Sequence, residues 1–432
     1  MDIILNLQNA SRDQLIQWEA DLTGEYNSIK LQAISLDLTR GKPSDGQLDL
    51  ADNLDGLLGG NYITESGVDT RNYGGIDGII ESRQLGADLL GLMVEEVSAQ
   101  GSSSLTLMFY AMYIAKDFGL RGLASAWKST IDTGSTPTFI CPVPGYDRHF
   151  TICEQLGIKM LTVPMTSTGP DMDAAEALIK HDSSIIGMWC VPKYSNPTGV
   201  IYSDETVERI AKLGQIANPS FCVFWDNAYA VHDMNGYKPL ANIMDYGREF
   251  GTTDNIVQFA STSKITHAGS GIAFIASSVD NLKGIHKVLG SFSIGPDKVN
   301  QLRHHRLLPN FDSLVGHMSR HAELLKPRFN CVLKHLEANF SDNDLGTWEA
   351  VDGGYFISFD TKPHLAATIV KLAAEAGVKL TPAGATFPYG DDPEDRNIRI
   401  APSVPTMEQV DQAMQVFTLC VKLASVSQRL RQ

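Results

Sequence analysis

Cysteine is scarce: Cys141, Cys153, Cys190, Cys222, Cys331 and Cys420 are scattered through 432 residues without one CxxC pair. In a chain of this size, buried thiols are the expectation over a disulfide frame or a zinc site. Long apolar runs are missing as well. No stretch reaches the roughly 18 uninterrupted apolar residues of a membrane span, and the longest, around Ile185 to Val191 and Ile272 to Ala276, are strand-sized. The opening MDIILNLQNA has neither a basic n-region nor a proper apolar stretch, so no secretory signal is read and the cytoplasm is the expected location. The glycosylation patterns at Asn9 and Asn339 are then chance matches. Clustered base is absent too. Lys and Arg total 35 against 50 Asp and Glu, a net −15, with no basic stripe for a phosphate backbone, which argues against a nucleic-acid partner. No GxSxG supports a hydrolase, and Gly269-Ser270-Gly271 lacks the third glycine of a dinucleotide fingerprint. His317 and His321 stand at helical i,i+4 spacing without the Glu of an HExxH frame, so no metal is expected.

What remains is an ordinary globular composition, 43% hydrophobic and 20% charged, at a length that suggests two or three domains. Ser11 with Gln14 makes a capping box ahead of Leu15, Trp18 and Leu22 at helical spacing, which predicts a long N-terminal helix. Residues 50–70, rich in Gly, Asp and Asn, read as irregular. Buried strands are predicted at 138–143, 185–191, 221–225, 256–259 and 271–276, with helices at 171–181 and 204–217, the latter capped by Ser203. Strand, helix, strand in that order predicts an α/β fold with a mostly parallel sheet flanked by helices. From Lys298 the rhythm changes: helices at 311–339, 364–376 and 406–430 and strands at 354–359 and 397–400 read as a smaller α+β domain. The expected division is a large domain, 50–297, and a small one built from 1–49 and 298–432.

Five places carry possible chemistry, and each has a plainer reading when taken alone. Lys264, in Ser261-Thr262-Ser263-Lys264 just past IVQFA, is either a surface lysine or a Schiff-base amine at a strand end. Asp226 ends FCVFW and precedes Tyr229 by three residues; it is either a helix cap or a buried carboxylate able to hold a protonated ring nitrogen. Asn196, in the segment PKYSNPTG, sits in a turn, yet loops at the carboxyl ends of parallel strands are where α/β sheets bind ligands. Gly101-Ser102-Ser103-Ser104 before LTLMFYAMYIA is a helix cap or a phosphate cradle. Arg399, inside Asn397-Ile398-Arg399-Ile400, is an edge-strand arginine or a fork for a carboxylate.

Taken in order, the Gly-Ser-Ser loop, Asn-Pro-Thr-Gly, Asp-x-x-Tyr, Ser-x-Ser-Lys and the distant Arg resemble the fold type I pyridoxal-phosphate (PLP) aminotransferases of class I and II. Asn196, Asp226, Lys264 and Arg399 follow one another at separations of 30, 38 and 135 residues, in agreement with that family. LDLTRGKPS, NYGGIDG, GSSSL and PGYDRHF resemble a divergent aspartate aminotransferase subgroup in particular. The resemblance implies a seven-stranded type of sheet, PLP bound to Lys264, and amino-acid and 2-oxo-acid substrates. It makes Asp226 the pyridinium partner, Tyr229 and Asn196 donors to the ring hydroxyl, and Tyr146 the ring stacker. Ser102, Ser103, Ser104, Ser261 and Ser263 become phosphate ligands, with Tyr73 reaching the phosphate across a homodimer interface. Gly41 would line the substrate entrance and Arg399 would hold the α-carboxylate.

One departure stands out. Many relatives grip the phosphate with an arginine eight residues after the lysine, where this chain has Ile272; His267 is one substitute cation. The distal carboxylate of a dicarboxylic substrate has Arg40, Lys42, Arg148, Arg303 and Arg306 as eligible partners. Other amino-donor specificities, or a lyase or decarboxylase on the same scaffold, compete with this reading. A non-catalytic PLP-binding regulatory domain would need a basic DNA-binding segment that residues 1–40 do not supply.

Overall fold

The computed structural model describes residues 7–132 and 134–432. Its main sheet has eight strands in the spatial order Val97–Ala99, Ala273–Ser277, Ile256–Ser261, Cys222–Asp226, Ile185–Cys190, Thr138–Val143, Lys159–Thr166 and Gly169–Pro170. The expected seven strands are therefore joined by a two-residue eighth at the edge. The five from Ile256–Ser261 to Lys159–Thr166 are mutually parallel. Ala273–Ser277 runs against them and Val97–Ala99 against it, so Val97–Ala99 points the same way as the parallel five.

Every residue of Ile185–Cys190 and Cys222–Asp226 is buried, as befits strands covered on both faces by helices. Successive side chains feed opposite cores. Phe139 packs with Trp127, Trp189 and Phe224 on one face, while Ile140 packs with Met188, Val223 and Trp225 on the other. Gly187 is required here, because a Cβ on it would lie 2.2 Å from the Phe139 ring.

Several predicted elements shift at their ends, and the fold holds others that the sequence does not mark. The 204–217 helix stops at Lys212 and tightens into a 3₁₀ turn, Leu213–Gln215, where Gly214 lies so close to Asn255 that a Cβ would meet its Oδ1 at 2.4 Å. The strand expected at 354–359 begins only at Ile357 and continues to Thr361. Lys159–Thr166 lies outside the predicted strands; it is near the sheet edge and contains Pro164, which weakens its strand signal. Helices Ile80–Leu90, Asp147–Gln155 and Val279–Leu289 also lacked a decisive signal.

A further core joins the two ends of the chain. The Arg12–Lys30 helix starts at the Ser11/Gln14 capping box and packs on the terminal helix Met407–Arg431. The same cluster takes in the later turns of the helix Phe311–Phe340 and the antiparallel sheet of Gly346–Trp348, Ile357–Thr361 and Asn397–Ile400. Leu308, Leu314 and Met318 pack instead with Leu85 and Phe274 against the main sheet.

A buried ion pair fastens the loops between these cores. Lys193 Nζ lies 2.9 Å from Asp233 Oδ2, with the two side chains 1% and 4% exposed. Lys193 also donates to the Ala230 and Lys238 carbonyls, and Asp233 Oδ1 accepts from Tyr194 Oη at 2.7 Å. Burial lowers the lysine pKa, and the adjacent Asp233 charge opposes that shift. Asp233 bridges Gly353, and Met234 N–H donates to the Asp352 carbonyl, so the loop that follows Asp226 is tied to the second core. Lys193→Met leaves a buried carboxylate uncompensated and should cost about 3–5 kcal/mol. The Lys193→Met/Asp233→Leu double variant should cost less than either single change, as read from urea midpoints.

Candidate active site

Five strands that point the same way deliver their carboxyl ends to one rim of the sheet, the position at which open α/β sheets bind ligands. There a cleft of about 600 Å³ is lined by Tyr146, Asn196, Asp226, Tyr229, Lys264 and Arg399, together with the loop Thr39–Lys42 and residues from the start of the helix Ser104–Asp117. Residues more than 300 positions apart in sequence thus share one cavity.

Asp226 is the last residue of its strand and is 2% exposed. Its Oδ2 lies 3.0 Å from His149 Nε2, and that imidazole stacks flat on Trp189, with centroids 4.0 Å and planes 4° apart. Oδ1 is buried with no hydrogen-bond partner. A buried acceptor left unpaired costs roughly 1–3 kcal/mol, so this oxygen is suited to a donor from within the cleft. Lys264 is half-buried, with Nζ 5.1 Å from the centre of the Tyr229 ring. Burial lowers its pKa and the Asp226 charge raises it, with burial prevailing, which favours the neutral, nucleophilic amine. Tyr229 is buried and stacks on Tyr355; burial and the neighbouring Tyr146 and Asp226 hold its hydroxyl protonated, as a donor.

Arg399 is also buried. Its Nε donates to Thr381 Oγ1 at 3.3 Å, and Nη1 donates to Asp147 Oδ1 at 3.0 Å and Asn196 Oδ1 at 3.2 Å. The guanidinium lies 4.8 Å over the Phe356 ring, and Nη2 has no hydrogen-bond partner among the described residues. Gly41 presses against that same Phe356: a Cβ there would come within 2.5 Å of the ring, so only glycine lets the Thr39–Lys42 loop close over the cleft.

The serines divide. Ser104 lines the cleft, and Ser103 caps the Ser104–Asp117 helix by accepting from Thr106 N–H. Ser263 Oγ donates to the Ser102 carbonyl at 2.8 Å, which joins the two serine loops, and Ser261 is half-buried at the end of its strand. Tyr73 lies outside the cleft and is 84% exposed, lining a shallow depression with Ile294 and Lys298. Ile272 is a core residue, 1% exposed, and His267 turns toward Asp52. Of the five cations eligible for a distal carboxylate, Arg40, Lys42 and Arg148 line the cleft. Arg303 faces Asp55, and Arg306 donates to the Leu57 and Leu58 carbonyls.

Sequence reasoning passed over His149, Trp189, Phe356, Thr381 and Asp147. His149 and Asp147 lie within PGYDRHF, but nothing local shows that the first would meet Asp226 and the second Arg399. Among the described residues, Cys331, His335 and Asp411 bring three possible metal donors within 4.8 Å of one another outside the cleft, and His335 and Asp411 already pair at 2.8 Å.

A family model described as aspartate amino-transferase matches residues 10–432. An aspartate aminotransferase of Corynebacterium glutamicum is 42% identical over 423 residues, covering 98% of this chain and 96% of that protein. The crystal structure of an aspartate transaminase from C. glutamicum aligns with a TM-score of 0.94 at 41% identity, over 99% of this chain and 100% of that one. An α-aminoadipate aminotransferase of Thermus thermophilus, complexed with N-(5'-phosphopyridoxyl)-L-leucine, aligns at TM-score 0.72 over 93% of this chain and 95% of that one; at 20% identity it shows the shared fold alone. This chain belongs to the aspartate amino-transferase family, and it is an aminotransferase with the fold type I architecture.

Proposed function

We propose that the enzyme moves an amino group between L-aspartate or L-glutamate and 2-oxoglutarate or oxaloacetate, with pyridoxal 5'-phosphate held at Lys264. The observation that carries this reading is the unpaired Asp226 Oδ1, buried in a cleft that also holds a lysine of lowered pKa. A protonated ring nitrogen is the donor this oxygen lacks, so the residues present fit the group. When bound, PLP supplies a protonated pyridine that acts as the electron sink for carbanion formation.

The chain's own residues then divide the work. Lys264 would hold PLP through its amine, and the same amine would serve as the base for the proton on the substrate Cα. Asp226 keeps the pyridinium charged, and the buried His149–Trp189 stack holds that carboxylate in place. Tyr229 and Asn196 donate to the ring hydroxyl; because Asn196 Oδ1 already accepts from Arg399, its Nδ2 is left for that bond. Tyr146, which lines the cleft, would cover one ring face. Ser102, Ser103, Ser104, Ser261 and Ser263 hold the phosphate at the amino end of the Ser104–Asp117 helix, where partial positive charge and open N–H groups favour an anion. Arg399 binds the α-carboxylate, and Gly41 lines the way in.

The preference for a dicarboxylic substrate is supported by charge. The cleft gathers Arg40, Lys42, Arg148, Lys264 and Arg399 against Asp147 and Asp226, in a protein of net −15. The active unit in this reading is a homodimer with shared sites. Exposed Tyr73, Phe292 and Ile294, at 84%, 56% and 65%, supply an apolar surface suited to it, and Tyr73 would reach the phosphate of the other subunit. The chain would divide into a large domain, 50–297, and a small one, 1–49 with 298–432. A cytoplasmic location fits six free cysteines, five of them buried. No helix among the described residues is long and apolar enough to cross a membrane.

Asp226→Asn removes the charge while keeping the size, and kcat should fall about 10²- to 10³-fold at saturating cofactor, the scale of one preorganised electrostatic contact. Near-normal turnover would reduce Asp226 to a structural residue. Arg399→Lys should raise KM for every amino donor alike. Among Arg40→Gln, Lys42→Gln and Arg148→Gln, one should raise KM for aspartate and glutamate at least tenfold, about 1.4 kcal/mol, while sparing alanine. A wild-type enzyme indifferent to the distal carboxylate would overturn the aspartate reading.

A further inference from the structure

We propose that His232, His304 and His317, with His321 behind His317 and none of the four lining the cleft, are positioning residues that set the place of Lys264 by gripping the three-residue segment Lys264–Thr266 from behind. This deepens the reading of Lys264 given above and rests on it. The segment leaves the strand end in a single turn, with Ile265 and Thr266 N–H groups both donating to the Thr262 carbonyl. Its outward-facing acceptors and hydroxyl each meet an imidazole. His232 Nε2 lies 3.3 Å from the Lys264 carbonyl, His317 Nε2 lies 2.6 Å from the Ile265 carbonyl, and His304 Nε2 lies 2.9 Å from Thr266 Oγ1. His321 stands behind His317, the two Nε2 atoms 3.1 Å apart.

The partners dictate where each proton sits. A guanidinium only donates, so Arg320 Nη2, 2.9 Å from His317 Nδ1, leaves the His317 proton on Nε2 for the carbonyl. The Gln47 amide is oriented by Ser44 N–H, which donates to its Oε1. Gln47 Nε2 therefore donates to His321 Nδ1 at 3.0 Å and to Tyr355 Oη at 2.9 Å; the His321 proton is then on Nε2, and because His317 Nε2 is protonated too, these two atoms are neighbours rather than hydrogen-bond partners. His304 Nδ1 faces the Asn300 carbonyl and must carry the hydrogen, so Nε2 accepts from Thr266. His304, His317 and His321 are each neutral in this arrangement. Burial acts in the same direction, taking His321 to about 3 and His304 to about 4.

A lysine side chain has four rotatable bonds, so the position of its amine is only as good as that of its backbone, and an error near 1 Å can cost about 10²-fold in rate. Lys264 lies beyond the strand, without ladder bonds of its own, and the histidines replace them with side-chain bonds from the loop after Cys222–Asp226 and from the helices Lys298–Leu307 and Phe311–Phe340.

The test uses the PLP-loaded enzyme and the variants Gln47→Leu, His317→Phe and His317→Gln, the last keeping a neutral N–H donor. Amide hydrogen exchange in peptides covering 262–268 should speed up about tenfold or more in Gln47→Leu and His317→Phe. Their kcat should fall about 10- to 100-fold with KM for aspartate within about twofold, and His317→Gln should recover most of the loss. Unchanged exchange and kcat in folded Gln47→Leu and His317→Phe would overturn the proposal. So would equal losses in His317→Phe and His317→Gln, since the donor would then be irrelevant. If His317→Phe does not fold, Gln47→Leu against His317→Gln decides the matter by the same readouts. Wild-type protein without transamination would sink the underlying reading instead, whatever the exchange data show.

Discussion

A carboxylate at 2% exposure must be compensated, and in Asp226 the compensation covers one oxygen while the other stays unpaired. The architecture around it follows from that. Trp189 on the adjacent strand fixes the plane of His149, and His149 fixes the carboxylate, so Oδ1 is held in place before anything binds. In the function proposed for Asp226, preorganisation of this kind spares the reaction any reorganisation of that charge.

The loops that carry the remaining chemistry start from strand ends, where backbone hydrogen bonding stops and geometry has to come from side chains. The protein meets this with buried polar networks rather than apolar packing. Lys193 and Asp233 join the Asn196 loop to the one after Asp226 and, through Gly353, to the second core. His232, His317 and His304 bond the Lys264 turn in the same manner. Networks of this type are rigid when every member is satisfied and costly when one is removed, which concentrates the sensitivity of the fold in the residues that shape the cleft.

Charge is distributed in the opposite sense to the whole. Acidic residues dominate the chain, yet basic ones dominate the cleft, and its low-dielectric walls focus that local excess. Asp147 tempers the effect by accepting from Nη1 of Arg399.

Much of this was legible in the residues. Apolar runs ending in Asp226 and Ser261, a punctuated Asn196 loop and a Gly-Ser-Ser stretch before a helix marked a parallel sheet and the rim where its ligand would lie, because local periodicity and turn chemistry act over a few residues. The pairings were not legible. Arg399 with Asp147, Asp226 with His149 and Gln47 with His321 join positions 252, 77 and 274 residues apart, and no short-range pattern encodes such a meeting. The same limit kept five cations eligible for the distal carboxylate until the fold turned Arg303 and Arg306 away. Sequence alone determined which chemical groups the protein owns and roughly which strand ends carry them; tertiary structure decided which of them face one another, because side-chain direction beyond a strand end is set by contacts with distant parts of the chain.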